Sequence, residues 1–305
     1  MPSRWRGVFP AVTTQLRKDQ SLDLEATARH LEVLIDSGVD GLIMLGSLGE
    51  NAALEPDEKR KVLAAARETA RGRVPVLSGV VETSTAAAVR FARDAEKMGL
   101  DGLMVLPAMI YRADAAETLA HFRAVARATG LPIICYNNPL AYVVDITPPM
   151  FVELAEIENL VAIKESSGDV RRITDLRNVV GDRYELFCGV DDLVLESVLL
   201  GATGWIAGMG LAFPEENRYF WELAIAGNYE AAREIYAWYT PLLHLDTPVK
   251  FVQYIKLAIQ ETGLGAEWVR APRLPLAGEE RRRILEIIHR GIETRPRIPA
   301  RRRAS

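Results

Sequence analysis

The chain has 305 residues, 49% hydrophobic and 26% charged, which supplies a substantial core and excludes disorder over most of its length. Formal net charge is −4, but the C-terminal stretch "RPRIPARRRAS" alone holds Arg295, Arg297, Arg301, Arg302 and Arg303; without them 32 basic residues face 41 acidic ones, a surface unsuited to nucleic acid. Apolar runs stop well short of the ~20 residues that span a bilayer and no signal-type core follows the N-terminus, so the expectation is a cytoplasmic protein with no membrane partner.

In chain order, strand-like runs are predicted at 7–12 and 41–45, the second ending in "GSLGEN". A helix follows from Glu55, with Pro56 in its first turn and acids ahead of basic residues. Runs at 75–80 and 102–106 alternate with helices from Thr85 and Ala115, whose apolar positions recur at three and four. "SGVDGLIMLG" and "MGLDGLMVLP" echo one another, with Gly38 and Gly99 61 residues apart, as two strand–helix units of about 30 residues each would place them. A weaker copy, "LGATGWIAG", begins at Leu200. Further runs at 132–136, 160–164, 184–188 and 204–207 bring the strands to eight.

Near-continuous apolar strands alternating with amphipathic helices predict a parallel sheet covered by helices, and eight such units close into an α/β, (β/α)₈ TIM barrel. A doubly wound open sheet is the alternative. After Pro214 the pattern is helical, near 215–226, 229–239, 249–261 and 279–292. The expected organisation is a barrel over 1–226, a C-terminal helical extension packed on it over 227–294, and a basic, disordered tail over 295–305.

Cys135 and Cys188 sit in apolar runs and read as small core residues rather than a disulfide. His30, His121, His244 and His289 lack the spacing and carboxylate company of a metal site, so neither a metal nor a cofactor is expected.

Lys164 ends the apolar run of "NLVAIKESSGD", and chemistry on a barrel sits at the C-terminal ends of strands. Desolvation there lowers an ammonium's pKa from ~10.4, freeing an amine that can attack a carbonyl. A lysine that merely snorkels from a strand end is the competing reading. Tyr136 ends the adjacent run in "CYNNP", about 4.8 Å away across the sheet, where a phenol can carry the protons of imine chemistry, or simply pack with its tip hydrogen-bonded. In "GSLGEN" two glycines flank Ser47 and Leu48, so backbone N–H groups can meet an anion; a tight turn with Glu50 in a structural hydrogen bond fits equally.

With "GSLGE", "YNNP" and "VAIKESSGD" in order and spacing, the chain resembles the dihydrodipicolinate synthase and N-acetylneuraminate lyase superfamily of lysine Schiff-base barrels, from about Arg6 to near Pro275. The resemblance implies a Schiff base between Lys164 and a 2-keto acid, Tyr136 and Ser47 as proton carriers, and the substrate carboxylate on the Ser47 and Leu48 backbone with Ile206 near the keto-acid end. It also implies a homo-oligomer, commonly a tetramer. Three departures speak against the synthase itself: Leu48 stands for a threonine, Met109 for a tyrosine and Ala141 for an arginine. Those residues complete the synthase relay and bind the aldehyde's carboxylate, and apolar side chains cannot imitate them. A more apolar pocket suited to one compact keto or cyclic imino acid is expected. The chain is most similar to the branch with 1-pyrroline-4-hydroxy-2-carboxylate deaminases of hydroxyproline breakdown. A 2-keto-3-deoxy sugar acid dehydratase or aldolase would use the same core, and a non-catalytic keto-acid-binding barrel is the rival of a different class.

Overall fold

The computed structural model describes residues 5–108 and 110–299. Among them eight parallel strands form one sheet: β1 (Gly7–Val8), β2 (Leu42–Met44), β3 (Val76–Val80), β4 (Gly102–Val105), β5 (Ile133–Asn137), β6 (Leu160–Glu165), β7 (Glu185–Cys188) and β8 (Gly204–Trp205). The order β1-β8-β7-β6-β5-β4-β3-β2 leaves β1 and β2 at the two ends. They meet: Val12 N–H donates to Ile43 O at 2.8 Å, and Ile43 N–H to Pro10 O at 3.0 Å. The sheet therefore closes into the (β/α)₈ barrel, and the open doubly wound alternative falls.

Local chemistry explains the elements. Gly38 and Gly99 of the internal echo both sit at positive φ, 90° and 71°, so each helix ends in a left-handed residue that turns the chain into the next strand. Helix Ala115–Arg127 opens with a reciprocal capping box, in which Asp114 accepts from Glu117 N–H and Glu117 from Asp114 N–H, both at 2.9 Å. The sixth strand runs one residue past the predicted end, so Lys164 is its penultimate residue and Glu165 its last. Asn137 likewise follows Tyr136 on β5 and donates to Glu165 at 3.1 Å, which extends the pairing that periodicity alone ended too early.

After Pro214 the chain is helical at Pro214–Ile225, Tyr229–Leu243, Phe251–Glu261 and Gly278–Glu293. The second of these runs through Pro241, because Leu242 and Leu243 beyond it are buried; the third starts two residues later than expected, since Val249 stands 99% exposed ahead of it. Trp238 packs edge-on to Phe213 and donates to Gly291 O at 3.0 Å, tying the later helices together. Arg295, first residue of the basic stretch, forms a bidentate ion pair with the buried Glu216. Arg301, Arg302 and Arg303 lie outside the described residues, as does Met109. No helix among the described residues is long and apolar enough to cross a membrane.

A fully buried ion pair joins the helical extension to the barrel. Lys256, on helix Phe251–Glu261, reaches Glu50 of the "GSLGEN" turn at 2.5 Å, with both side chains 0% exposed. Trp268 O takes a second ammonium proton at 2.6 Å and Arg270 N–H fills the other Glu50 oxygen at 2.9 Å. Removing one member of a buried pair strands the other's charge, at about 3–5 kcal/mol. Lys256→Met and Glu50→Gln should each lower the unfolding free energy on that scale in urea titrations. The double variant should lose clearly less than the two singles added together.

Candidate active site

The strand register aims the candidate residues at one place. Lys164 pairs in register with Tyr136 on β5 and Phe187 on β7, so the three side chains leave the sheet on the same, inner face. Above them a cavity of about 370 Å³ opens at the C-terminal strand ends. Ser47, Leu48, Tyr136, Lys164 and Ile206 all line it, so every site residue proposed from the sequence borders one space.

Lys164 is 7% exposed, and among the described residues its ammonium makes no hydrogen bond or ion pair. Its Nζ lies 4.0 Å from the centroid of the Tyr136 ring. Desolvation pushes its pKa below 10.5, with Tyr142, Asp246 and Asp191 opposing the shift. The Tyr136 hydroxyl accepts from Asn138 Nδ2 at 3.0 Å, and burial raises its pKa. This phenol stays protonated at neutral pH and can act as a proton donor.

Across the barrel, Ser47 and Leu48 follow β2. No acceptor among the described residues takes their N–H groups, while Ser47 O and Gly46 O serve the next turn. Two free donors facing a cavity suit a carboxylate. Glu50 of the same turn holds the helical extension instead of facing the cavity, so the structural reading of that residue is the one realised.

Three lining residues escaped the sequence reading. Tyr142 shares a hydrogen bond between its hydroxyl and Ser47 Oγ, and its ring meets Tyr136 edge-on with centroids 5.7 Å apart at 85°. It closes a short helix, Pro139–Tyr142, whose Asn138 cap accepts from Ala141 N–H at 3.0 Å. The Asn-Pro pair was the available signal, since it starts a helix and so returns Tyr142 one turn later. Ser166 Oγ is buried, turned toward the Tyr136 hydroxyl without a bond of good geometry. Asp246 comes from the helical extension and had no local signal at all. The cavity is therefore more polar than the substitutions at Leu48 and Ala141 suggest, because Tyr142 returns a hydroxyl beside Ser47.

The histidines act as ties: His30 to Leu211 O at 2.8 Å, His121 to Leu106 O at 3.1 Å, His244 to Asp192 at 2.7 Å and His289 to Glu261 at 2.6 Å. Cys135 and Cys188 are buried free thiols. Among the described residues no group of three or more His, Cys, Asp or Glu is placed to hold a metal.

Two outcomes follow from this geometry. Pyruvate with borohydride should label Lys164, located by mass spectrometry, and Lys164→Ala should take no label. Because the folded pKa lies below 10.5, the labelling rate should level off at a lower pH than for a solvated lysine. Tyr142→Phe, which removes one hydroxyl and little volume, should lower turnover by about 10-fold or more, and Tyr136→Phe by about 10²-fold, the scale of positioned acid–base groups. Near-normal rates in both would reduce the tyrosines to packing.

The sequence profile of the Dihydrodipicolinate synthetase family matches residues 4–290. A 4-hydroxy-tetrahydrodipicolinate synthase of Archaeoglobus fulgidus is 33% identical over 288 residues, 93% of this chain and 97% of that protein. The solved structure of the 4-hydroxy-tetrahydrodipicolinate synthase of Methylacidiphilum fumariolicum superposes with a TM-score of 0.90 at 27% identity, covering 95% of this chain and 97% of the other. The Acinetobacter baumannii dihydrodipicolinate synthase, solved with pyruvate, gives 0.88 at 27% identity over 94% and 98%. Fold, motif order and whole-length similarity agree, and the chain belongs to the dihydrodipicolinate synthetase family, as a lyase of that family.

Proposed function

We propose that the protein is a lysine Schiff-base lyase acting on one small 2-keto or cyclic 2-imino acid, and that its substrate is 1-pyrroline-4-hydroxy-2-carboxylate. The observation that carries the Schiff-base reading is the Lys164 amine, dry, unpaired among the described residues and laid on the Tyr136 ring inside the cavity. A binding barrel without catalysis gains nothing from burying an unpaired amine beside a phenol, since desolvation weakens its hold on a carboxylate.

In the proposed reaction the Lys164 amine adds to C2 while the carboxylate rests on the Ser47 and Leu48 N–H groups. The ring C2–N bond breaks, leaving a Lys164 iminium and a free amine at C5. Loss of a C3 proton gives an enamine, which expels the C4 hydroxyl as water. Migration of the double bond toward C5 produces a second imine, and hydrolysis of both imines consumes two waters. The balance is one substrate and one water to 2-oxoglutarate semialdehyde and ammonia. The hydrogen-bonded hydroxyls of Tyr142 and Ser47, with Tyr136 packed edge-on against Tyr142, are the groups placed to move the protons of these steps.

Support for a single-substrate pocket comes from Leu48, 3% exposed, and Ala141, both on the cavity wall where the synthase pattern has a threonine and an arginine. Similarity to named synthases favours the condensation of pyruvate with an aldehyde instead, but that reaction calls for an anion clamp on the second substrate, which an alanine cannot provide. A cytoplasmic homo-oligomer, tetrameric by family resemblance, belongs to the same proposal.

Purified protein should release ammonia from 1-pyrroline-4-hydroxy-2-carboxylate, followed by coupling the semialdehyde to an NAD(P)-dependent aldehyde dehydrogenase. Pyruvate with aspartate semialdehyde should give no product at a comparable rate. A protein that ignores the pyrroline but dehydrates or cleaves a 2-keto-3-deoxy sugar acid would transfer the assignment to that class.

A further inference from the structure

Lys164 has a protein wall on both flanks. On the β5 side stand Tyr136 and Tyr142, already described. On the β7–β8 side the strand ends are bare: a Cβ on Gly189 would lie 2.8 Å from Lys164 Cε, and one on Gly208 would lie 2.3 Å from Asp246 Oδ1. Gly208 thus leaves room for a carboxylate that arrives from outside the barrel, on the turn after helix Tyr229–Leu243.

That carboxylate is held in place. Asp191 accepts from Gly208 N–H at 3.1 Å, Met209 N–H at 2.7 Å and Trp205 Nε1 at 2.9 Å, which fixes the loop beneath Asp246. His244, two residues before Asp246, bonds Asp192 at 2.7 Å, which ties the turn that carries Asp246 to the same loop. Asp246 nonetheless lines the cavity together with Lys164 and Ile206. Burial and the neighbouring Asp191 carboxylate push its pKa well above the usual carboxylate range, opposed by Lys164. A carboxyl group so placed holds its proton to higher pH than a solvated one and lies in the cavity where a leaving oxygen could take it.

We propose that Asp246 is the acid that protonates the hydroxyl leaving C4 of the lysine-bound substrate, on the opposite flank of Lys164 from Tyr136, which gives its proton to the ring nitrogen as the C2–N bond breaks and, as the phenolate so formed, takes the C3 proton. The inference rests on the Schiff-base elimination set out above. In the step, the enamine nitrogen pair re-forms the C2=N iminium, the C2=C3 pair becomes C3=C4, and the C4–O bond breaks as the Asp246 proton joins the departing oxygen to give water. The Asp246 carboxylate then takes a proton from C5, now acidified through the conjugated iminium, and is an acid again. An elimination needs its base and its acid apart, and the two flanks provide them.

The test uses Asp246→Asn, which keeps the shape and removes the proton, and two probes: 1-pyrroline-4-hydroxy-2-carboxylate and its 4-fluoro analogue, whose leaving group departs without protonation. Asp246→Asn should lose about 10²-fold or more in turnover of the hydroxy compound. In a single turnover with enzyme in excess it should release fluoride from the analogue within about 10-fold of wild type, since the C5 step follows that release, and it should trap pyruvate on Lys164 as wild type does. Equal losses on both probes, or near-wild-type turnover of the hydroxy compound, would overturn the acid role while leaving the substrate assignment intact. Wild-type protein that traps pyruvate yet leaves the hydroxypyrroline untouched would overturn both.

Discussion

The contact between Glu50 and Lys256 is the constraint on which the site depends. It joins residues 206 apart in sequence, with both charges fully buried, and so holds two unrelated pieces of chain to one position. One is the turn whose Ser47 and Leu48 N–H groups face the cavity. The other is the helical extension that brings Asp246 over the opposite strands. A buried pair of this kind is weak as a source of net stability, because desolvation offsets most of the attraction. Its effect is geometric: neither partner can leave without stranding the other, and Arg270 N–H fills the second Glu50 oxygen while Trp268 O takes a second ammonium proton.

The same physics is applied in reverse at Lys164. There the amine is buried without a carboxylate in hydrogen-bonding contact, and the nearest face offered to it is the Tyr136 ring. Lys256 is also desolvated, but a direct Glu50 contact opposes the shift and keeps the charge; Lys164 has only the more distant Tyr142, Asp246 and Asp191. The two lysines show how one residue type is made structural or reactive by the partner it is given or denied. That contrast is the physical basis for assigning nucleophilic chemistry to Lys164 and none to Lys256.

What could be read from the sequence divides along the same line. The eight strands, the glycine-terminated helices and the residues at strand ends have local causes, namely apolar runs, caps and left-handed turns, and so Lys164, Tyr136, Ser47 and Leu48 were accessible from one stretch of chain each, whereas Ile206 entered only through the family resemblance. The strand ends were off by a residue at Lys164 and Tyr136 because Asn137 and Glu165 pair in register, Ser166 N–H donating to Asn137 O at 2.8 Å, beyond the apolar run. Tyr142 was half legible, through the Asn138–Pro139 helix start. Asp246, and the role of Glu50, had no local signature: one depends on a bare Gly208 38 residues earlier in the chain, the other on Lys256.

This division has a consequence for how the family's chemistry is partitioned in the molecule. On the proposed reading the strand ends carry the steps shared by any 2-keto acid that forms an imine: carboxylate binding, amine attack and proton transfer by a phenol. Leu48 and Ala141, which differ from the synthase pattern, line the same cavity as Asp246 of the extension. A condensing enzyme must hold a second substrate there by its charge. An eliminating enzyme needs instead a proton for the leaving oxygen and no anion clamp, since nothing else has to bind. An uncharged wall with one buried carboxyl group suits the second requirement better than the first, which is the physical ground for the proposed elimination.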